Sequence, residues 1–423
     1  MKKNSKQKVK KVVLAYSGGI DTSTIVPWLI ETYGCSVICF CAQIGQSNEN
    51  LHGLEEKALQ SGAEKFILAD LREEFASDIL FPMMKIEAVY EGKYPLGTAI
   101  SRPIIAKHVV ETAKKEGADA VAHGATGRGN DQVRFELAFM ALAPELKIIA
   151  PWREWEFKSR EEVIAYARQK SVPINLPRGI GVNHDSNLWH ISHEGGVLED
   201  ITNEVDESVY RWTASPENAP DQPVEMAITF EQGIPVALDG NPLSGAKLIE
   251  ALNAIGGTHG IGRSQLIESR LIGFKSHGIY ETPAGTILLE AHRALESILH
   301  PRELRRFKRA AADTYADLIY NGMWFTELRE ALDAFTAVTQ QRVNGEVRLK
   351  AFKGNLVVTG ISSPDSGYND DAALFEPSGG FDNTFGTGFI HFYGLSSKVQ
   401  GMIDSPEIDL EDKNKHLKQF KRD

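Results

Sequence analysis

A short apolar run, Lys11–Tyr16, ends in Ser17-Gly18-Gly19-Ile20-Asp21-Thr22-Ser23 and passes directly into a stretch of helical periodicity. Val12, Val13, Leu14 and Ala15 read as a buried strand. Thr24, Ile25, Trp28 and Leu29 then recur at helical spacing. A strand, a glycine-rich turn and a helix N-terminus make an anion site. The first-turn N–H groups lack partners, and the helix end carries about half a positive charge. Gly18 and Gly19 keep Cβ atoms out of the path of an approaching phosphate. Ser17, Thr22 and Ser23 add hydroxyl donors. Asp21 is the odd member, because a carboxylate repels phosphate unless a cation lies between them, so it points to Mg²⁺.

The loop is neither of the two commonest phosphate loops. It lacks the lysine of the P-loop pattern and the GxGxxG spacing of dinucleotide binders. It resembles instead the SGGxDS-type loop of the ATP pyrophosphatases. That resemblance implies an enzyme that splits ATP between its α and β phosphates and leaves AMP on a carbonyl oxygen.

The chain has 423 residues, 42% of them hydrophobic and 24% charged, which is ample for two cored domains. Its formal net charge of −11 argues against a general nucleic-acid or membrane surface. The basic start, Met1–Lys11, precedes only about five apolar residues, whereas a secretory signal needs roughly 7–15 and a spanning helix about 20. A cytoplasmic protein with no membrane or nucleic-acid partner is expected. Cys35, Cys39 and Cys41 crowd into one stretch, but no CxxC pair supports a metal. They read as small apolar residues of a buried strand.

Strand and helix alternate up to about residue 175. Strands are expected at 36–42, 65–69, 118–122 and 147–150, and helices at 52–62, 72–90, 99–116, 131–142 and 158–170. This predicts a doubly wound parallel α/β sheet of Rossmann-like, ATP pyrophosphatase type over residues 1–175, with ligands beyond the carboxyl ends of the strands. Residues 177–222 show little periodicity. Strands at 224–230, 234–238, 284–290 and 346–359 and helices at 243–255, 290–316 and 322–340 then predict a second, α+β domain over 176–403. Residues 362–388 read as a long loop, and 404–423 as a charged, amphipathic oligomerisation tail.

Two further stretches are chemically dense. His123-Gly124-Ala125-Thr126-Gly127-Arg128-Gly129-Asn130-Asp131-Gln132-Val133-Arg134-Phe135-Glu136 follows a strand and opens a helix. Asn130 is an N-cap candidate, but capping explains neither the glycines nor Thr126 and Arg134. Asn187-Leu188-Trp189-His190-Ile191-Ser192-His193-Glu194 carries two histidines without metal-ligand spacing, which reads as structural hydrogen bonding.

AYSGGIDTS at 15–23, IGQ at 44–46, YPLGT at 94–98, SRPIIAK at 101–107, the 123–136 string, NLWHIS at 187–192 and KSHGIYETPAGT at 275–286 resemble, in this order, the argininosuccinate synthase family. The resemblance runs from about Lys11 to about Tyr393. It implies that citrulline, ATP and aspartate give argininosuccinate, AMP and pyrophosphate, with Mg²⁺ accompanying ATP and no fixed protein metal site. It implies ATP contacts from Ala15, Tyr16, Ser17, Gly18, Gly19, Ile20, Asp21, Thr22, Ser23, Ala42 and Gly124. Thr126, Asn130 and Asp131 would hold aspartate. Tyr94, Asn130, Arg134, Ser192, Glu268 and Tyr280 would hold citrulline. Asp21, Ser17 and Arg134 are the catalytic candidates. A homotetramer is implied as well, with residues 176–403 as its synthetase and multimerisation domain.

Two positions depart from the family pattern: Ala99 stands where a citrulline-contacting Ser is common, and Val182-Asn183 where Tyr-Ser is common. Both would touch the acceptor pocket, so adenylation is more firmly implied than the acceptor. The alternatives are the same ligase chemistry on another ureido or amidino amino acid, and a low-turnover nucleotide-binding regulatory protein.

Overall fold

The structure, a computed structural model, describes residues 9–46, 51–127, 129–173, 181–369, 382 and 384–405. They fall into two compact units, Met1–Ser366 and Gly367–Asp423. The first begins with strands β1 (Lys11–Ala15), β2 (Ser36–Gln43), β3 (Lys65–Asp70), β4 (Ala120–Ala122) and β5 (Lys147–Ile149). They form one parallel sheet in the order β3-β2-β1-β4-β5. Successive β1 residues feed opposite layers. Val12 and Leu14 pack with Ile25 and Leu29 of the helix Ile20–Tyr33. Val13 packs with Ile100 and Ile104 of the helix Gly97–Glu116. A strand buried on both faces reads as the continuous apolar run seen in the sequence. Cys39 and Cys41 are free, buried thiols of β2, and burial raises the pKa of both.

The strand order reverses between β1 and β4, which opens the ligand crevice of such sheets at their carboxyl ends. Ser17–Gly19 and His123–Asn130 flank that point.

The rest of this unit holds two antiparallel sheets. One contains β8 (Val224–Glu231), β9 (Ile234–Leu238), β10 (Asn241–Pro242), β13 (Gly345–Phe352) and β14 (Asn355–Ser362), in the order β10-β9-β8-β13-β14. The other contains β6 (Asn183–Ser186), β7 (Ile191–Glu194), β11 (Arg263–Ser269) and β12 (Lys275–Glu281), in the order β11-β12-β7-β6. The fold is thus a mixed α/β architecture with a parallel N-terminal sheet.

Several expectations are corrected. Residues 284–290 are not a strand but the first half of the helix Pro283–Leu299. Pro283 sits at its first position, and Ala284, Ile287, Leu288, Ala291 and Leu295 are buried at helical spacing. The expected helix 290–316 is two helices, because Pro301 separates Leu299 from Arg302–Tyr320 and has no N–H to continue the ladder. The strand expected at 346–359 is a hairpin turning at Lys353-Gly354, where φ is +48° and +82°. The helix expected at 322–340 starts at Glu327. The 72–90 helical stretch stops at Ile86, with Glu87 in the left-handed region at φ +65°. Residues 177–222, read as aperiodic, hold β6 and β7. Much of the 362–388 loop lies outside the described residues, and its end belongs to the helix Phe385–Tyr393. The tail from residue 406 also lies outside them.

Candidate active site

The turn after β1 is built for close approach. Gly18 has φ +73°, and a Cβ there would lie 2.1 Å from Leu54 Cδ2. Lys57 Nζ donates to the Gly18 carbonyl at 2.5 Å. Gly19 precedes the 14-residue helix Ile20–Tyr33 and makes no side-chain cap, so the first-turn amides remain free for an anion. Ser17 and Thr22 hydroxyls bond each other at 3.2 Å at the rim. Ser23 is turned inward: it is fully buried and bonded to the Tyr16 hydroxyl at 3.0 Å, so its side chain is not at the loop mouth. The Tyr16 ring is likewise in the core. Asp21 Oδ1 is buried without a partner, and Arg160 Nη1 lies 3.8 Å from the other oxygen. Burial raises the Asp21 pKa and Arg160 opposes it. An unpaired buried carboxylate oxygen beside free amides fits a cation held with a phosphate. Ala42 ends the buried part of β2, and its carbonyl is taken by Gln46 Nε2 at 2.6 Å.

The loop after β4 joins this turn to a second site. A Cβ on Gly124 would lie 2.6 Å from Thr22 Cγ2, so only glycine lets the loop rest on the first helical turn. Gln132 Nε2 ties the loop back by donating to the Gly127 and Gly129 carbonyls at 2.8 and 3.2 Å. Thr126 is exposed, and Arg128 lies outside the described residues. Asn130 stands at the N-cap position of the helix Asp131–Leu142 but makes no cap bond; its Oδ1 is buried and unpartnered. The capping expectation fails, and the Oδ1 is left available to a ligand.

A cavity of about 110 Å³ lies beyond, lined by Tyr94, Thr98, Gly129, Asn130, Asp131, Arg134, Asp185, Ser192, His193, Glu194, Glu268, Arg270 and Tyr280. Strand alternation explains its composition. Asp185 pairs with Ser192, Ser192 with Tyr280, and Glu268 with Ser276, so their side chains share one face of the β11-β12-β7-β6 sheet. Tyr280 reaches Glu268 Oε2 at 3.0 Å by lying back over Gly278, where a Cβ would be 2.4 Å from the hydroxyl. The Tyr280 ring stacks on Tyr94 at 4.5 Å. Tyr94 Oη accepts from Thr98 N–H at 3.2 Å and Ala99 N–H at 3.3 Å, which leaves its own hydrogen for a ligand. Leu96, between them, is fully buried at φ +61°, a strained conformation for leucine.

The charges are pre-arranged. Arg134 is 5% exposed; Nε donates to the Tyr320 carbonyl at 3.0 Å and Nη1 to Asp131 at 2.9 Å, with the guanidinium 4.9 Å from the Tyr320 ring. Arg102 Nη2 donates to Asp131 at 2.8 Å and Asp185 at 2.6 Å. Burial pushes the Asp131 pKa up, but the two guanidiniums win and hold it at about 2. Burial raises the Glu268 pKa, against bonds from Tyr280 and the charges of Arg134 and Arg270. Arg270 Nη2 donates to Glu194 at 2.6 Å. His190 is buried with Nε2 3.0 Å from Thr98 Oγ1, and its pKa is lowered to about 3 by burial, Arg102 and His193. Gly97 makes room for it, since a Cβ there would lie 2.3 Å from the ring.

Residues 11–173 match the arginosuccinate synthase N-terminal HUP domain, and residues 183–400 match the arginosuccinate synthase C-terminal domain. The chain belongs to the argininosuccinate synthase family. It is 54% identical over 397 residues to the argininosuccinate synthase of Carboxydothermus hydrogenoformans, covering 94% of this chain and 99% of that one. Against the enzyme of Roseiflexus sp. the identity is 53% over 398 residues, covering 94% and 98%. The chloroplastic argininosuccinate synthase of Arabidopsis thaliana is 52% identical over 396 residues, covering 94% of this chain and 80% of its own.

Of the residues that the family resemblance implied for the acceptor, the cavity gathers Tyr94, Asn130, Arg134, Ser192, Glu268 and Tyr280. Asp131 joins them there. Ala99 and Asn183 do not line it: Ala99 is fully buried and contributes its N–H to Tyr94, while Asn183 is exposed at the start of β6. Thr126 is also outside the cavity. Sequence reasoning overlooked Arg102, Asp185, Glu194, Arg270 and Tyr320. Arg102 lay inside the family string SRPIIAK, the one signal that could have found it. Outside this site, Glu87, His292 and Glu296 have metal-ligand spacing, but Lys308 Nζ already bonds Glu87 at 2.8 Å and Glu296 at 2.7 Å and supplies the cation.

Proposed function

We infer that this chain is an ATP-dependent carbon–nitrogen ligase that joins citrulline to aspartate through a citrullyl-adenylate, releasing pyrophosphate and then AMP. The observation that carries this reading is the loop after β4. It touches Thr22 of the phosphate turn at Gly124 and delivers Asn130, Asp131 and Arg134 to the cavity. A ureido oxygen in the cavity then has a short path to the α-phosphorus of ATP on the turn.

The ureido oxygen attacks the α-phosphorus and the bond to pyrophosphate breaks. AMP is then the leaving group when the aspartate amine attacks the ureido carbon. No protein nucleophile is required, and the chain acts by positioning and charge stabilisation. The free first-turn amides of Ile20, Asp21 and Thr22 would take phosphate charge, with Ala15, Tyr16, Ile20 and Ala42 lining the nucleotide through main chain and packing. Mg²⁺, held with ATP near Asp21, would supply neutralisation of the phosphates. Tyr94, Ser192, Glu268, Tyr280 and the uncommitted Nη2 of Arg134 would grip citrulline. Thr126, Asn130 and Asp131 would face aspartate.

Among the described residues no helix is long and apolar enough to cross a membrane, and we place the enzyme in the cytoplasm. The nucleotide-binding part is taken to end near residue 175. A homotetramer is the assembly we propose. The helix Phe385–Tyr393 leaves Phe385, Phe389, Ile390, Phe392 and Tyr393 between 66% and 77% exposed, a surface suited to self-association. Sedimentation of the full chain tests this, and a monomer refutes it. The reaction is tested by AMP release with citrulline and aspartate varied in turn. Dependence on both is expected; AMP release without citrulline, or better with another ureido acid, overturns the assignment.

A further inference from the structure

Asp185, Ser192, Glu194, Glu268 and Tyr280 of the cavity share one face of the β11-β12-β7-β6 sheet; His193, which also borders the cavity, belongs by strand alternation to the opposite face, where it joins a polar chain that the reaction does not use. Glu281 is 0% exposed. Its carboxylate accepts the main-chain N–H groups of Arg211 at 2.8 Å, Trp212 at 2.9 Å and Thr213 at 2.7 Å, and the Thr213 hydroxyl at 2.6 Å. His193, also 0% exposed, places Nε2 at 2.7 Å from the same carboxylate. The three main-chain partners can only donate, so Glu281 is an ionised acceptor. Burial pushes its pKa up, and these donors pull it down further.

His193 Nε2 carries hydrogen to bond the carboxylate. Its Nδ1 lies 2.6 Å from His184 Nδ1, and one of these two nitrogens donates to the other. One carboxylate therefore anchors a chain of two rings on two strands. Glu281 and His193 are fully buried, and a satisfied buried pair of this kind rigidifies what it joins, with the exposed His184 closing the chain. Each member is the sequence neighbour of a cavity residue: His184 of Asp185, His193 of Ser192 and Glu194, Glu281 of Tyr280.

We propose that His193 and Glu281 are positioning residues for the acceptor amino acid, and that the Glu281–His193–His184 chain locks β6, β7 and β12 so that Asp185, Ser192 and Tyr280 stand correctly on the opposite face. The proposal rests on the citrulline reading of the cavity. A general stability role would weaken every substrate alike, whereas this one acts on the acceptor.

The experiment is steady-state kinetics of the full-length enzyme with each substrate varied, for His193→Ala, His193→Gln and Tyr280→Phe. His193→Ala should raise the citrulline KM about tenfold or more while the KM for ATP stays within about twofold and kcat falls less than about threefold. His193→Gln restores a donor toward Glu281 and should recover much of the loss. Tyr280→Phe tests the reading beneath: an unchanged citrulline KM there sinks the citrulline assignment. A shifted Tyr280→Phe beside an unshifted, folded His193→Ala overturns the positioning role alone, as does an equal rise in all KM values. Should His193→Ala fail to fold, His184→Ala, which removes only the outer ring, must still raise the citrulline KM by about two- to fivefold, and no change overturns the proposal.

Discussion

Gly278→Ala should disable the acceptor cavity while leaving the ATP site intact. The position is two residues before Tyr280 on β12, and the Tyr280 ring lies back along its own strand. A Cβ at 278 would stand 2.4 Å from Tyr280 Oη, 2.7 Å from Cζ and 3.0 Å from Cε2. The ring has little room to yield. It is 5% exposed and stacked between Tyr94 at 4.5 Å and His190 at 6.0 Å. Something must move, and the bond from Tyr280 to Glu268 at 3.0 Å is the contact that breaks. A hydrogen bond to a charged group contributes about 1.5–3 kcal/mol and a stacked aromatic pair about 0.5–1.5 kcal/mol. With Tyr280 and Glu268 thrown out of register for the acceptor, a loss of transition-state binding of that summed size, about 2–4.5 kcal/mol, is roughly 30- to 2000-fold in kcat/KM for citrulline. Gly278 is not in the left-handed region, so alanine adds no backbone strain, and the fall in melting temperature reports the lost side-chain contacts alone. AMP release with citrulline varied at saturating ATP and aspartate measures the effect. Tyr280→Phe, which removes only the hydroxyl, should lose about 10- to 150-fold. A Gly278→Ala enzyme within about threefold of the parent would refute the packing argument.

Three further outcomes are expected. Asp21→Asn should slow citrulline-dependent pyrophosphate–ATP exchange by about tenfold or more with little change in citrulline affinity, because its buried Oδ1 has no partner and the residue sits in the first turn after the phosphate loop; unchanged exchange removes Asp21 from the mechanism. Asp131 is held at about 2 against 3.8 in the unfolded chain. Its stabilisation, on the order of 2–3 kcal/mol, is therefore present above about pH 4 and lost as pH falls toward 2. Urea titrations of Asp131→Asn should show a flatter acid limb, and an identical slope contradicts the ion-pair account. Ala99→Ser should change the citrulline KM less than about threefold, since the side chain is off the cavity wall; a larger gain in affinity would mean the pocket reaches further toward the helix start than it does here.

The parallel sheet was legible because its central strands β1, β2 and β4 are buried on both faces and its first helix begins at a glycine turn, Gly18-Gly19. Where period failed, a competing rule won. Residues 284–290 are mostly apolar, with Ile287, Leu288 and Leu289 in a row, and a short run of that kind suits strand or helix equally until Pro283 is given weight as a helix start. The hairpin at 345–362 was hidden because Lys353-Gly354 is an uncommon turn pair. The β11-β12-β7-β6 sheet was invisible as strands for a different reason. One face carries Asp185, Ser192 and Glu268, the other His184, His193 and Glu281, so no apolar alternation marks it.

That contrast has a physical origin in the two ligands. A phosphate is held largely by main-chain N–H groups, and a turn that offers several of them must be contiguous, so its glycines and helix start form a local string. An amino-acid zwitterion needs a cation, an anion and hydroxyls spaced around a small volume, and side chains from one turn cannot surround it. They are collected from one sheet face and two loop ends: Tyr94, Asn130, Arg134, Ser192, Glu268 and Tyr280 come from six places along the chain. Their neighbours must then be polar and buried to hold the face rigid, as Glu281 and His193 are. The acceptor site is legible in a sequence only through long family strings, whereas the phosphate turn is legible from its own residues, and a substitution such as Ala99 can be judged only once the wall of the cavity is known.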